Sequence, residues 1–279
     1  MFPDMISVIV LTYNDPARLR LCLHGMLRQT LHDFELLVVH DGGDREINRP
    51  VYEEMRQLGR EIKEHWLGPP SAEFRAAAAR NLGLRHVHGE RVLFVDGDCI
   101  LAPNVVAEHA AYGARPALVN GARNHLPRRC LKWLQPADFD HLEQYVKGRD
   151  ARYQIVEDFN RELRDQLQKG RTDVVLTHYE QVWSFQLSVP TGLARQIGGF
   201  NEGFVGYGGE DQEFAARLNQ AGAALVGRFD LVCYHLNHPS RREGKKGQEW
   251  MLRVRESVLN PSPVRNGGPM RGAAPLASP

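Results

Sequence analysis

The 279-residue chain carries 35 basic and 34 acidic side chains, and a net charge of +1 gives no general electrostatic drive toward nucleic acid. With 42% hydrophobic residues it can bury a sizeable core, as one large domain or one domain with an appended lobe. The four cysteines (Cys22, Cys99, Cys130, Cys233) lie far apart without a CxxC pair, so reduced thiols in a cytoplasmic protein are expected rather than a disulfide framework or a zinc site. No signal peptide is expected, and no apolar run approaches the roughly 20 residues that span a bilayer.

The first 125 residues alternate strand and helix. Ile6 to Leu11 reads as a central strand, and its exit loop is Thr12-Tyr13-Asn14-Asp15. Asp15-Pro16 starts a helix, with Asp as N-cap and Pro at the first helical position; Leu19, Leu23, Met26 and Leu27 line one face of it. Phe34 to Val39 is a second strand, leaving through His40-Asp41-Gly42-Gly43-Asp44. A helix spans roughly Glu73 to His86 and sets Arg75 and Arg80 among alanines, as surface charges or as cations that reach a phosphate. Val92 to Val95 is the next strand, and Pro103 initiates a helix. This β-α-β-α-β-α pattern predicts a mostly parallel sheet covered on both faces.

The strand at Val92 to Val95 ends in Asp96-Gly97-Asp98. In open α/β sheets ligands bind at that C-terminal rim. Two carboxylates there repel each other, which points to a divalent metal carrying a phosphate-rich ligand; an ordinary Asp-Gly turn is the structural alternative. The loops after the first two strands open on the same rim.

Residues from about 127 to 180 read as a helical insertion or flap, highly charged from Arg161 to Lys169; a plain solvated hairpin accounts for it equally well. Val182 to Val189 alternates apolar and polar residues and predicts a half-exposed strand. A second compact unit is expected from Thr191 to about Ser257, and the Pro-, Gly-, Ala- and Ser-rich end should be disordered. Within the unit, the glycine- and aromatic-rich run Gly198 to Gly209, which includes Tyr207, delivers Glu210 and Asp211 to the start of a helix. Phe214, Leu218 and Ala221 share a face of that helix, and Gly222 can cap it. Acids are favoured in a first helical turn by the dipole, but the loop before them has no such explanation. An aromatic face beside a carboxylate can grip a sugar and take a hydroxyl proton. Last, a strand from Leu231 runs into His235 and His238, with His235 the favoured metal ligand and His238 the fallback.

The segments SVIVLTYND, FELLVVHDGGD, AARNLGL, VLFVDGDCI and GGFNEGFVGYGGEDQEFAARL together resemble the family 2 inverting glycosyltransferases of GT-A fold. The last of them also looks like the C-terminal catalytic region of galactosyl- and N-acetylgalactosaminyltransferases. The resemblance implies an α/β GT-A fold. Residues 1–125 would form a nucleotide-sugar-binding half, 126–258 an acceptor and catalytic half with the flap, and 259–279 a tail. It implies uracil contacts from Thr12, Tyr13, Asn14 and Asp41, although His40-Asp41 stands where the family has two acids. Arg80 matches the AARN arginine, and Gly97 and Gly209 line the donor region. Asp96 lies nearer the ribose; Asp98 and His235 hold Mn²⁺ or Mg²⁺. The implied reaction is an SN2-like, inverting transfer of a hexose or N-acetylhexosamine from a UDP-sugar, with Tyr207 stacked on a sugar. Asp211 or Glu210 is the base, and His178 and Glu180 are next in line. The partners expected are the donor and a glycan, lipid-linked sugar, natural-product or peptide acceptor, with a homodimer left open. A sugar nucleotidyltransferase would want a Gly-rich phosphate loop after the first strand, which LTYNDPARL lacks. A processive synthase would add membrane helices and a QxxRW motif, and a non-catalytic binding protein would not need Asp98, Asp211 and His235 together.

Overall fold

The computed structural model describes residues 2–69, 71, 73–147, 173–176, 178–238, 249–260 and 264. The charged stretch Arg161 to Lys169 and nearly all of the C-terminal tail lie outside them. In chain order the elements are β1 (Phe2–Thr12), α1 (Pro16–Leu27), β2 (Glu35–His40), α2 (Arg49–Gln57), β3 (Lys63–Trp66), α3 (Ala76–His86), β4 (Gly89–Asp96), β5 (Cys99–Leu101), α4 (Val105–Ala110) and β6 (Ala117–Leu126). Two 3₁₀ helices (Arg128–Lys132, Pro136–Tyr145) follow, then β7 (Asp173–Val175) and a 3₁₀ turn (Tyr179–Gln181). The chain continues through β8 (Gln186–Pro190), α5 (Thr191–Gln196), α6 (Glu210–Gln220), β9 (Ala224–Leu236) and α7 (Glu249–Leu259).

Among the described residues nine strands form one sheet in the order β3-β2-β1-β4-β8-β6-β9-β5, with β7 on β9 off this path. The pairs β2–β3, β1–β2 and β1–β4 are parallel, as the β-α-β spacing of the first half requires. Beyond β4 the sheet is mixed: β8 runs antiparallel to β4 and β6, while β6 and β9 are parallel. Alternate residues of β1 serve opposite faces. Val8 and Val10 pack with Leu19, Leu23 and Met26 of α1, and Ile9 and Leu11 pack with the alanines of α3 and with Phe200 and Phe214. Helices therefore cover both faces. The start of α1 follows its local chemistry: the Asp15 carboxylate accepts the Arg18 N–H at 3.2 Å, with Pro16 in the first turn.

The β8 strand corrects an expectation. Its alternating pattern predicted one wet face, yet Gln186, Ser188 and their apolar neighbours are all buried. β8 lies between β4 and β6, and its polar residues meet buried partners: Ser188 Oγ accepts from Arg91 Nε at 2.8 Å and lies 2.8 Å from His109 Nδ1. A period of two reports chemical alternation, not which face is solvated. All four cysteines are free and buried. Among the described residues no helix is long and apolar enough to cross a membrane.

Candidate active site

Parallel registry brings three strand ends to one rim, because Thr12 pairs with His40 and Leu11 with Asp96. Asp41 is buried there, and its backbone N–H donates to the Thr12 carbonyl at 3.1 Å. Its carboxylate is held by Arg75, through the backbone N–H at 2.7 Å and Nε at 2.9 Å. Tyr13 is half-buried, and Asn14, at φ 43°, takes the left-handed conformation and accepts the Asp44 N–H at 2.9 Å. His40 has a structural task. Its ring stacks on Trp66 at 3.5 Å between centroids and hydrogen-bonds Tyr52, and burial pushes its pKa down to about 3, so it stays neutral.

At the end of β4 the two acids of Asp96-Gly97-Asp98 have different surroundings. Asp96 Oδ1 accepts from Arg80 Nη2 at 3.1 Å, and the other Arg80 nitrogen reaches Glu210 Oε1 at 3.0 Å. Arg80 is fully buried, and although burial opposes its charge, Asp96 and Glu210 keep it cationic. It thus ties α3, β4 and α6 together. Gly97 is required by space: a Cβ there would stand 2.8 Å from the Leu11 carbonyl and 3.2 Å from Thr12 Cβ.

Asp98 instead faces two imidazoles, His235 Nε2 at 3.3 Å and His238 Nε2 at 3.1 Å. Burial raises its carboxyl, but the hydrogen bonds and charge of the two histidines outweigh that and hold it well below the usual carboxylate range. β5 and β9 make the meeting possible, since Cys99 pairs with His235 and the Leu236 N–H donates to the Asp98 carbonyl at 2.9 Å. Behind the ring, His235 Nδ1 lies 3.0 Å from Asn237 Oδ1, which leaves Nε2 facing Asp98. His125 completes this back wall, its Nδ1 3.1 Å from the same Asn237 oxygen. One carboxylate oxygen and two imidazole nitrogens within 4.8 Å of one another form a donor set that fits a divalent first-row ion, with positions left for other oxygens. Sequence reasoning favoured one histidine; the structure brings both, along with Asn237, which the sequence reading passed over. The signal was the spacing His235-Leu236-Asn237-His238.

The fourth group lies where the glycine-aromatic loop enters α6. Gly206, Gly208 and Gly209 all have φ near +90°, at 92°, 88° and 99°. A Cβ at Gly209 would also be tight against Phe204 at 3.0 Å and Val254 at 3.2 Å. Phe204 is thereby a packing residue, while Tyr207 is exposed. Asp211 is half-buried; its Oδ2 accepts the Ser184 N–H at 3.1 Å and its Oδ1 the Gln212 N–H at 3.0 Å. Burial, then the charge of Glu210, pushes its carboxyl up to about 7 against the pull of Arg80. Ser184 is a further contact that the sequence reading missed. His178 and Glu180 lie exposed at the 3₁₀ turn Tyr179–Gln181.

The sheet, covered on both faces, has the GT-A fold of the solved structures it resembles. The chain aligns over 92% of its length with Staphylococcus aureus TarS (19% identity, TM-score 0.62, 40% of that chain). It aligns over 90% with GalNAc-T7 crystallised with UDP, GalNAc and Mn²⁺ (15% identity, TM-score 0.66, 47% of that chain). The description "Glycosyl transferase family 2" matches residues 7–136, and "N-terminal domain of galactosyltransferase" matches residues 176–239. Residues 7–136 thus carry the family 2 glycosyltransferase match, and the curated relatives include named glycosyltransferases. Among curated relatives, validoxylamine A glucosyltransferase of Streptomyces hygroscopicus subsp. jinggangensis is 28% identical over 80% of this chain and 53% of its own length. Hyaluronan synthase of Pasteurella multocida is 25% identical over 85% of this chain and 25% of its own length. The chain spans about half the length of the first of these.

Proposed function

We propose that this chain is a metal-dependent, inverting glycosyltransferase that moves a hexose or N-acetylhexosamine from a UDP-sugar to a nucleophilic acceptor. The observation that carries the reading is Asp98 facing His235 and His238 at the rim of the parallel half. Two imidazoles beside one carboxylate suit Mn²⁺ better than Mg²⁺, which prefers an all-oxygen shell. When bound, the ion supplies positive charge against the departing diphosphate.

The chain's own residues do the rest. Asp41, with Thr12, Tyr13 and Asn14, binds the uracil, and Arg75 holds the Asp41 carboxylate in position. Arg80 fixes Asp96 toward the ribose and locks Glu210, so Glu210 anchors the start of α6. Asp211 is then the general base. Among the described residues it accepts from N–H and hydroxyl donors, of Ser184 and Gln212, and a carboxylate pushed up to about 7 is basic enough to take an acceptor proton near neutral pH. Tyr207, exposed on a loop of flexible glycines, stacks on a sugar. In this reading residues 1–125 serve the donor and 126–258 the acceptor and the catalytic base.

Calorimetry with UDP, with and without Mn²⁺, followed by a UDP-release assay over a panel of UDP-sugars, tests it. UDP should bind with Mn²⁺ and lose affinity after EDTA, and proton NMR should show inverted anomeric configuration in the product. Metal-independent turnover at the full rate would sink the metal assignment, and retained configuration would sink the one-step displacement.

A further inference from the structure

A second concavity opens beside the metal cluster, over the two 3₁₀ helices after β6. Its volume, about 650 Å³, is in the range of small-molecule sites. Three of its lining side chains are cations, Arg128, Arg129 and Lys147. Trp133 and Tyr145 add an aromatic corner, edge to face at 4.9 Å between centroids, and Trp133 is 41% exposed. Among the described residues none of the three cations is in an ion pair with an acid; Arg128 donates one hydrogen bond to the His238 carbonyl at 3.2 Å. The acids of the same segment face elsewhere. Asp138 accepts the Gln135 N–H at 2.8 Å, Asp140 pairs with Arg28, and Glu143 accepts the Tyr234 hydroxyl at 3.2 Å. Asn237 lines the cavity and also backs His235, so the cavity and the metal cluster share a wall.

Three like charges gathered with no counter-charge among the described residues repel one another, and the arrangement is relieved by an anion. An aromatic corner beside them suits the apolar face of a sugar ring. We propose that this cavity is the acceptor subsite and takes an anionic sugar, one that carries a carboxylate or a phosphate ester. Arg128 and Arg129 can grip either group through paired N–H donors, and Lys147 acts as a point charge. The inference rests on the transferase reading of the neighbouring site and adds the chemistry of the acceptor to it.

Ligand-observed NMR on the full chain, loaded with Mn²⁺ and UDP, compares D-glucuronate, glucose 6-phosphate and glucose, with the tryptophan fluorescence that is lost in Trp133→Phe as a second readout. At least one anionic sugar should bind about tenfold or more tightly than glucose, and the tighter of the two identifies the carboxylate or the phosphate source. The double variant Arg129→Gln/Lys147→Gln, at two exposed positions, should lose that preference, and Arg129→Lys should restore part of it. Equal binding of all three sugars, or a preference undiminished in the double variant, overturns the subsite. UDP affinity in the same samples separates the two readings. If the unaltered chain fails to bind UDP, the transferase reading falls; if UDP binds and the anionic preference is missing, only the subsite falls.

Discussion

The acids on the nucleotide side of the rim, Asp41 and Asp96, and the acids proposed for metal and base, Asp98 and Asp211, are held by different partners. Asp41 and Asp96 are tied to arginines, Arg75 and Arg80, which stay charged at any pH the fold survives. Asp98 faces imidazoles and Asp211 faces N–H and hydroxyl donors. The first kind of pair fixes an acid in place. The second leaves an acid able to exchange its partner, for a metal in one case and a proton in the other. Asp96 and Asp98 are two residues apart, yet they fall on opposite sides of this division because Arg80 comes from α3 and the histidines from the end of β9.

Breaking the exchangeable pairs should cost the most. Asp98→Ala should lower UDP-sugar turnover by at least about 10³-fold, the several kcal/mol attributed to a positioned cation, while circular dichroism stays native. His235→Ala and His238→Ala should each weaken Mn²⁺-dependent UDP binding by calorimetry; if only one does, the other histidine is dispensable. Asp211→Asn should cut kcat by roughly 10²–10⁴ and spare UDP affinity. For the unaltered chain kcat should fall as the pH drops through about 7, because the base must be deprotonated to act, and that limb should vanish in the variant. A Glu210→Gln variant that loses more activity than Asp211→Asn would reverse the two roles.

The arginine-tied side should show up in stability and affinity instead. Arg80→Met strands Glu210 and Asp96, and removing one partner of a buried pair costs about 3–5 kcal/mol, read as a lower midpoint in urea. Native stability in that variant would show that the network is not a brace. Asp41→Ala should weaken UDP binding by about 1–3 kcal/mol, with kcat at saturating donor little changed. An unaltered UDP affinity would remove Asp41 from the donor site.

Much of this was legible in local chemistry. The apolar runs before Thr12, His40 and Asp96, the Asp15-Pro16 start and the Gly208-Gly209 entry to α6 are read by sterics, capping and period within a few residues. These determined the parallel half of the sheet and placed Asp41, Asp96, Asp98 and Asp211 at element ends. The tertiary structure alone decided their partners. Arg80 and Glu210 are 130 residues apart, Asp41 and Arg75 are 34, and no spacing rule links them. The Val182 to Val189 pattern misread its wet face for the same reason: whether Ser188 meets solvent or Arg91 depends on which strand lies alongside. Local sequence sets where a chain turns and which groups stand at the turn. Which of those groups meet is settled by long-range packing, where burial obliges each charge to find a counter-charge or a hydrogen bond.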